Sequence, residues 1–279
     1  MSYKSMVVHL DTSVRAHSRL ELALRLARRF KAHLTGVFAI YTPEPTSFYV
    51  MAGSADYFRE QRDQRDERLA ALERLFHAET ARAGVSAAWI RADERANVAV
   101  PRLARLADLV IAGQSDPNDP ETYIDDQFAE TLVMSAGRPV LFVPYAGEFP
   151  SIGERALVAW DGSREATRAA HDALPFLEHA KRTTVVAVVA GDSEAATTRV
   201  PAADAALMLA RHAPDVNVLD IDSGAGGSVG DTLLSRAYET GSDLLVMGAY
   251  GHPRWHELLM GGATRTVLAS MTLPVLMSH

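Results

Sequence analysis

LLVMGAYGHPRWHELLMGGAT, residues Leu244–Thr264, reads as a strand, a glycine loop and the start of a helix. The apolar run ends at Gly248, a second glycine follows at Gly251, and the pair Gly261-Gly262 opens the next helical stretch. Glycine lets backbone N–H groups approach an anion closely, and a helix N-terminus directs unpaired donors and partial positive charge at it. The same glycines would also serve as plain turns of an α/β protein, so the rest of the chain decides between the two readings.

Apolar runs of strand length alternate with helical periodicity along the whole sequence. In the first half the strands read Met6–Leu10, His33–Ile40, Ser86–Ile90, Leu109–Gly113 and Val140–Val143. In the second half they read Ala156–Trp160, Thr183–Val189, Val216–Ile221, Leu244–Met247 and Val275–Met277. Helices fall between them, among them the long charged stretch Asp56–Ala83, Phe128–Ala136, Arg164–Ala180 and Ala263–Ser270. Such alternation gives an α/β fold, a parallel sheet with helices on both faces. Pro144–Gly153 (PYAGEFPSIG) is the Pro- and Gly-rich break, which sets domains 1–144 and 154–279 with a linker at 145–153.

The halves are copies of one another. LADLVIAG (Leu106–Gly113) matches GSDLLVMG (Gly241–Gly248) at an offset of 135, held to the end of the chain through Thr131 on Thr266 and Pro139 on Pro274. At the front, Asp11 matches Asp161 at an offset of 150, so the first half carries 15 extra residues, placed mostly in Thr42–Ala83. The copies differ at the glycines. Gly113 and Gly248 coincide, but Gly251 faces Asp116, Gly261 faces Asp126 and Gly262 faces Gln127. An aspartate adds bulk where backbone must approach and negative charge against phosphate, either of which costs about 1 kcal/mol or more. The phosphate cradle is therefore expected in the second half alone.

Composition narrows the class. Among 279 residues, 48% are hydrophobic and 23% charged, an ordinary globular balance, and the net charge of −7 disfavours a nucleic-acid groove. With no cysteine, disulfides and thiolate metal sites are ruled out. No apolar run approaches the ~18 residues of a membrane span, and the first residues lack a leader pattern. The expectation is a soluble cytoplasmic protein.

These residues resemble the universal stress protein family. Gly248-x2-Gly251-x9-Gly261-Gly262 is similar to that family's nucleotide-binding signature, as are Asp11 and Asp161 at the first-strand ends and the fourth strand Asp243–Gly248. The likeness covers the whole chain as two tandem copies. It implies flavodoxin-like (Rossmann-like) domains, each with a five-stranded parallel sheet of order 3-2-1-4-5 and a ligand crevice where strands 1 and 4 end. Carried over, it implies an adenine nucleotide (ATP, ADP or AMP, which Mg could accompany), with Asp161 and Gly248 at the ribose and Gly251, Gly261 and Gly262 at the phosphates. Ala159, Trp160 and Val189 would lie by the base. The family usually has Ser or Thr where this chain has Gly262; Thr264 could partly stand in for that hydroxyl.

Other constellations carry less. His252 and His256 are four apart beside Glu257, but Pro253 interrupts a helix through both, and no metal site is assigned. His252 or Arg254 is better read as part of a loop over the phosphates. Gly224-x-Gly226-x3-Gly230 looks like a dinucleotide fingerprint but follows a third strand, and reads as a turn into a helix. Ser13 and Ser163 are read as helix N-caps. No G-x-S-x-G elbow occurs, and no lysine follows Lys181, which excludes a Walker-type NTPase. No catalytic residue is assigned; any hydrolysis would be slow. The leading expectation is a nucleotide-binding module of the stress response. The alternatives are a ligand-free interaction protein, whose last strands pair the halves into an internal pseudo-dimer and leave room for a homodimer, and a binder of an apolar small molecule under Thr42–Ala55, through Phe48, Tyr49 and Met51.

Overall fold

The computed structural model describes residues 2–39, 55–119, 127–189, 200–222, 228–250 and 262–279. The first half runs β1 (Ser5–Leu10), α1 (Ala16–Phe30), β2 (His33–Ala39), α2 (Ala55–Ala83), β3 (Ala87–Ala92), α3 (Ala96–Ala104), β4 (Leu109–Gly113), α4 (Phe128–Ala136) and β5 (Val140–Val143). The second half runs β6 (Arg155–Trp160), α5 (Arg164–Asp172), α6 (Leu174–Leu177), β7 (Arg182–Val189), α7 (Ala202–Leu209), β8 (Val216–Asp222), α8 (Val229–Glu239), β9 (Leu244–Gly248), α9 (Ala263–Ser270) and β10 (Val275–Ser278).

All ten strands form one sheet in the order β3-β2-β1-β4-β5-β10-β9-β6-β7-β8. Neighbours within each half are parallel. The halves join through β5 and β10, which pair antiparallel with Leu276 opposite Leu141. Strand side chains alternate between two cores, as a pleat requires. Met6, Val8 and Leu10 face α1 and α2 in one core. Val7 packs in the other, beside α3 and α4. Leu69, Leu72 and Phe76 form the buried stripe of α2.

Two sequence expectations change. Arg164–Ala180 is not one helix: α5 stops at Asp172 and the short α6 follows, with Pro175 in its first turn. Proline lacks the N–H and crowds the carbonyl four residues back, so a continuous helix breaks there. The insertion is also larger than the net count. Leu34 pairs with Ala87 as Thr183 pairs with Val216, so 53 residues separate the first pair and 33 the second. The second half recovers part of that difference in the connection between β8 and β9.

The aspartate opening each fourth strand has a structural task. Asp108 accepts from the Lys4 and Ser5 N–H groups at the start of β1. Asp243 accepts from the Ser151 hydroxyl and the N–H groups of Gly153, Glu154 and Arg155. It thereby fixes the entry of the chain into β6. Asp243→Ala should destabilise the protein by about 1–3 kcal/mol in chemical denaturation, with Asp243→Asn losing less.

Candidate functional site

In both halves strand 1 lies beside strand 4, and their carboxyl ends form a crevice at the switch point of the sheet order. The crevice of the first half is filled by its own side chains. Asp11 follows β1 and accepts from Arg19 Nη2 at 2.8 Å and from the Ser13 hydroxyl and N–H. Arg19 is 4% exposed. It lies so close to Gly113 that a Cβ there would fall 2.1 Å from Nη1. His9 is fully buried on β1, with its ring 5.2 Å from that of Phe128, the first residue of α4. Burial lowers the His9 pKa to about 4, with Arg19 adding to the shift and Asp11 opposing it. Burial raises the Asp11 pKa, but Arg19, His9 and Ser13 outweigh it, so the carboxyl sits below its ordinary value.

Ser13 is not the cap of α1. That helix starts at Ala16, and the Ser13 hydroxyl donates to Asp11 instead. In the second half α5 starts at Arg164, and Ser163 does cap it, accepting from the Ala166 N–H at 3.1 Å. The earlier start brings α5 onto the end of β9. A Cβ at Gly248 would lie 2.5 Å from the Ala166 nitrogen. One shared glycine thus has two uses: Gly113 admits a side chain and Gly248 admits a helix backbone.

The residues that fill the first crevice have small counterparts in the second. His9, Arg19 and Phe128 align with Ala159, Ala169 and Ala263. Among the described residues, the Asp161 carboxylate takes one hydrogen bond, from the Ser163 N–H at 3.0 Å, and has no cation beside it. The sequence reading passed over His9, Arg19 and Phe128. The offsets of 150 and 135 were the signal: three bulky side chains stand opposite three alanines.

The remaining expected residues distribute as follows. Ala159 lies in the core beside Met247 and Val267. Trp160 points to the opposite core and donates its indole N–H to the Val200 carbonyl at 2.8 Å, so only its backbone is free to meet a ligand. Val189 ends β7. Gly262 is the N-cap of α9. Thr264 is buried, and its hydroxyl oxygen accepts from the Tyr250 N–H at 3.4 Å, tying the exit of β9 to α9. In the first half, Asp116 accepts from the Asn118 N–H in a local turn. Gly230 lies in α8, where a Cβ would fall 2.9 Å from the Ala263 carbonyl oxygen, so helix packing accounts for it. Gly251, His252, Arg254, His256, Glu257 and Gly261 lie outside the described residues, as do Asp126, Gly224, Gly226 and the loop with Phe48, Tyr49 and Met51. Among the described residues, no three His, Asp or Glu side chains group as a metal site, and no helix is long and apolar enough to cross a membrane.

His9 makes stability depend on pH. Its folded pKa of about 4 lies below the ordinary 6.5, so between those values the unfolded chain binds a proton that the folded chain does not. Stability from this group is complete above pH 6.5 and falls on acidification toward pH 4. The loss should reach about 3 kcal/mol. Denaturation curves across this window should show it, and His9→Leu should lack that component.

Residues 2–144 and 154–279 each match the model of the universal stress protein family. Among solved structures, a universal stress protein from Archaeoglobus fulgidus DSM 4304 is similar over 98% of this chain and 95% of that one, at 16% identity and a TM-score of 0.70. A functionally unknown protein from Pseudomonas aeruginosa PAO1 is similar over 99% of this chain and 92% of that one, at 16% identity and a TM-score of 0.59. At these identities the likeness is one of fold. No curated protein matches the chain. The duplicated flavodoxin-like sheet and the two family matches agree, and the chain belongs to the universal stress protein family as a tandem, two-domain member.

Proposed function

We propose that the second half holds an adenine nucleotide where β6 and β9 end, and that the first half does not. One contrast carries the reading: the side chains that close the first crevice, His9, Arg19 and Phe128, are replaced by Ala159, Ala169 and Ala263. Asp161 is then left to accept from ribose hydroxyls, whereas Asp11 is neutralised by a buried guanidinium. The backbone at Ala159, Trp160 and Val189 would meet the base. The N–H groups at the start of α9, with Gly251, Gly261 and Gly262, would take the phosphates, under a loop holding His252 and Arg254.

The donor set fits a nucleotide with a weak hold on its terminal phosphate. Gly262 offers no hydroxyl where a Ser or Thr would donate to the phosphate, and Thr264, two residues on, is buried. ADP, AMP or a loosely held ATP, with or without Mg, therefore suits the site better than a tightly bound triphosphate. Without a lysine or a metal-binding carboxylate assigned to it, the site serves as a ligand-dependent state marker in the stress response. Its occupancy stabilises the folded form by linkage. We read 1–144 as the degenerate domain, and the β5–β10 join as an internal pseudo-dimer that leaves room for a homodimer.

Acid-quenched protein should release about one adenine nucleotide per chain, or the purified chain should gain thermal stability with AMP, ADP or ATP. Ala159→His and Ala263→Phe, which copy the first half, should each weaken binding at least about tenfold while the far-ultraviolet circular dichroism is kept. Unchanged affinity in both variants, or no released nucleotide together with no thermal shift, overturns the proposal.

A further inference from the structure

Helix α9, whose start forms the phosphate end of the second-half site, is poorly secured by its own sequence. It has eight residues, about 12 Å, too few to hold a helix without tertiary contacts. Gly262 caps its start with no side-chain bond, its last turn carries no basic residue, and it ends at Met271 in extended backbone. Its counterpart α4 ends at Gly137 in the left-handed conformation, with a φ of +63°. At the offset of 135 that glycine becomes Thr272, so α9 lacks the glycine that commonly closes a helix.

Gln114 of the first half supplies what is missing. It is buried one residue past β4, and its Nε2 donates to the Leu268 carbonyl at 2.9 Å and to the Ala269 carbonyl at 3.0 Å. Its Oε1 accepts from the Tyr145 N–H at 3.2 Å. Both ends of the amide are used, which fixes its orientation. The Gln114 N–H bonds the Val143 carbonyl, so the clamp stands on the β4–β5 pair. At its other end α9 meets its own half. Thr264 accepts from the Tyr250 N–H, and a Cβ at Gly230 of α8 would fall 2.7 Å from the Thr266 Cβ. The clamp runs one way. At the offset of 135 Gln114 becomes Ala249, which has no side-chain donor to return it. The contact that does run back, from Arg168 to the Gly137 carbonyl, is one exposed hydrogen bond.

We infer that the first half controls the phosphate affinity of the second through this contact, with Gln114 as the positioning residue. The inference rests on the nucleotide reading above. Backbone N–H groups at a helix start hold a phosphate only within a distance window of about 0.5 Å. With the C-terminus of α9 released, a tilt of about 10° about its midpoint carries the first N–H groups about 1 Å, past that window. Asp161 and Gly248, at the ends of β6 and β9, keep their places, so the ribose end of the site is spared.

Gln114→Met keeps the length of the side chain and removes the donors; Gln114→Glu also keeps the acceptor for Tyr145. In nucleotide-free protein, hydrogen exchange of the α9 amides should rise at least about fivefold in both variants, with α5 unchanged. In calorimetric titration, both should bind ADP at least about fivefold more weakly than the parent chain does, and adenosine within about twofold of it. Ser151→Ala, which removes one hydrogen bond between the linker and Asp243, should change neither ligand. Either Gln114 variant suffices if the other fails to fold. Unchanged exchange in α9 overturns the clamp whether or not a nucleotide binds. Unchanged ADP affinity, or equal loss of ADP and adenosine, overturns the phosphate role. If the parent chain binds neither ligand, the nucleotide reading falls and this inference with it.

Discussion

The antiparallel pairing of β5 with β10 is the contact on which the arrangement depends. Both strands are buried along their whole length and, but for Ser278, apolar. Left as edges, they would present unpaired backbone groups and apolar side chains to water, the usual invitation to aggregation. Joining them satisfies both demands and turns two five-stranded sheets into one of ten strands. Because the join is antiparallel while every other pairing is parallel, the carboxyl ends of β1 and β4 face the opposite edge from those of β6 and β9. The two crevices therefore lie at opposite ends of the sheet.

The same geometry makes each half a wall of the other. The crevice end of one half meets the helix C-termini of its neighbour. Gln114, one residue past β4, donates to the Leu268 and Ala269 carbonyls at the end of α9. Arg168, on α5, donates to the Gly137 carbonyl just past α4. Helix C-termini carry unsatisfied carbonyls, and donors from the partner half supply what the helices lack. The linker joins this network: Arg25 and Arg29 hold it to the first half and Asp243 holds it to the second. It is a docked segment rather than a tether.

Duplication also shows how one frame supports two fates for a crevice. The strand-end aspartate and the fourth-strand glycine are kept in both copies. In the first, a helix that starts two residues later lets Arg19 fold back over Gly113 onto Asp11, and His9 and Phe128 close the rest. A buried ion pair of this kind is held less by its attraction than by the penalty of breaking it, since either partner alone would be stranded. In the second, Ala159, Ala169 and Ala263 leave Asp161 uncompensated by any described residue.

The sequence alone determined the element order, the duplication and the pairs of matching positions. These follow from local periodicity and from spacing, which survive without knowledge of neighbours. It also isolated Gly251, Gly261 and Gly262 as the glycines on which the two copies differ. It could not say that Gly113 is small for the sake of Arg19 and Gly248 for the sake of α5, that the Trp160 indole turns away from the crevice, or that the Thr264 oxygen is taken by Tyr250. Those facts depend on contacts between residues far apart in the chain. Only the tertiary structure decided them, because the register of a helix start and the packing of one side chain against a distant glycine are set by the whole core, not by any local pattern.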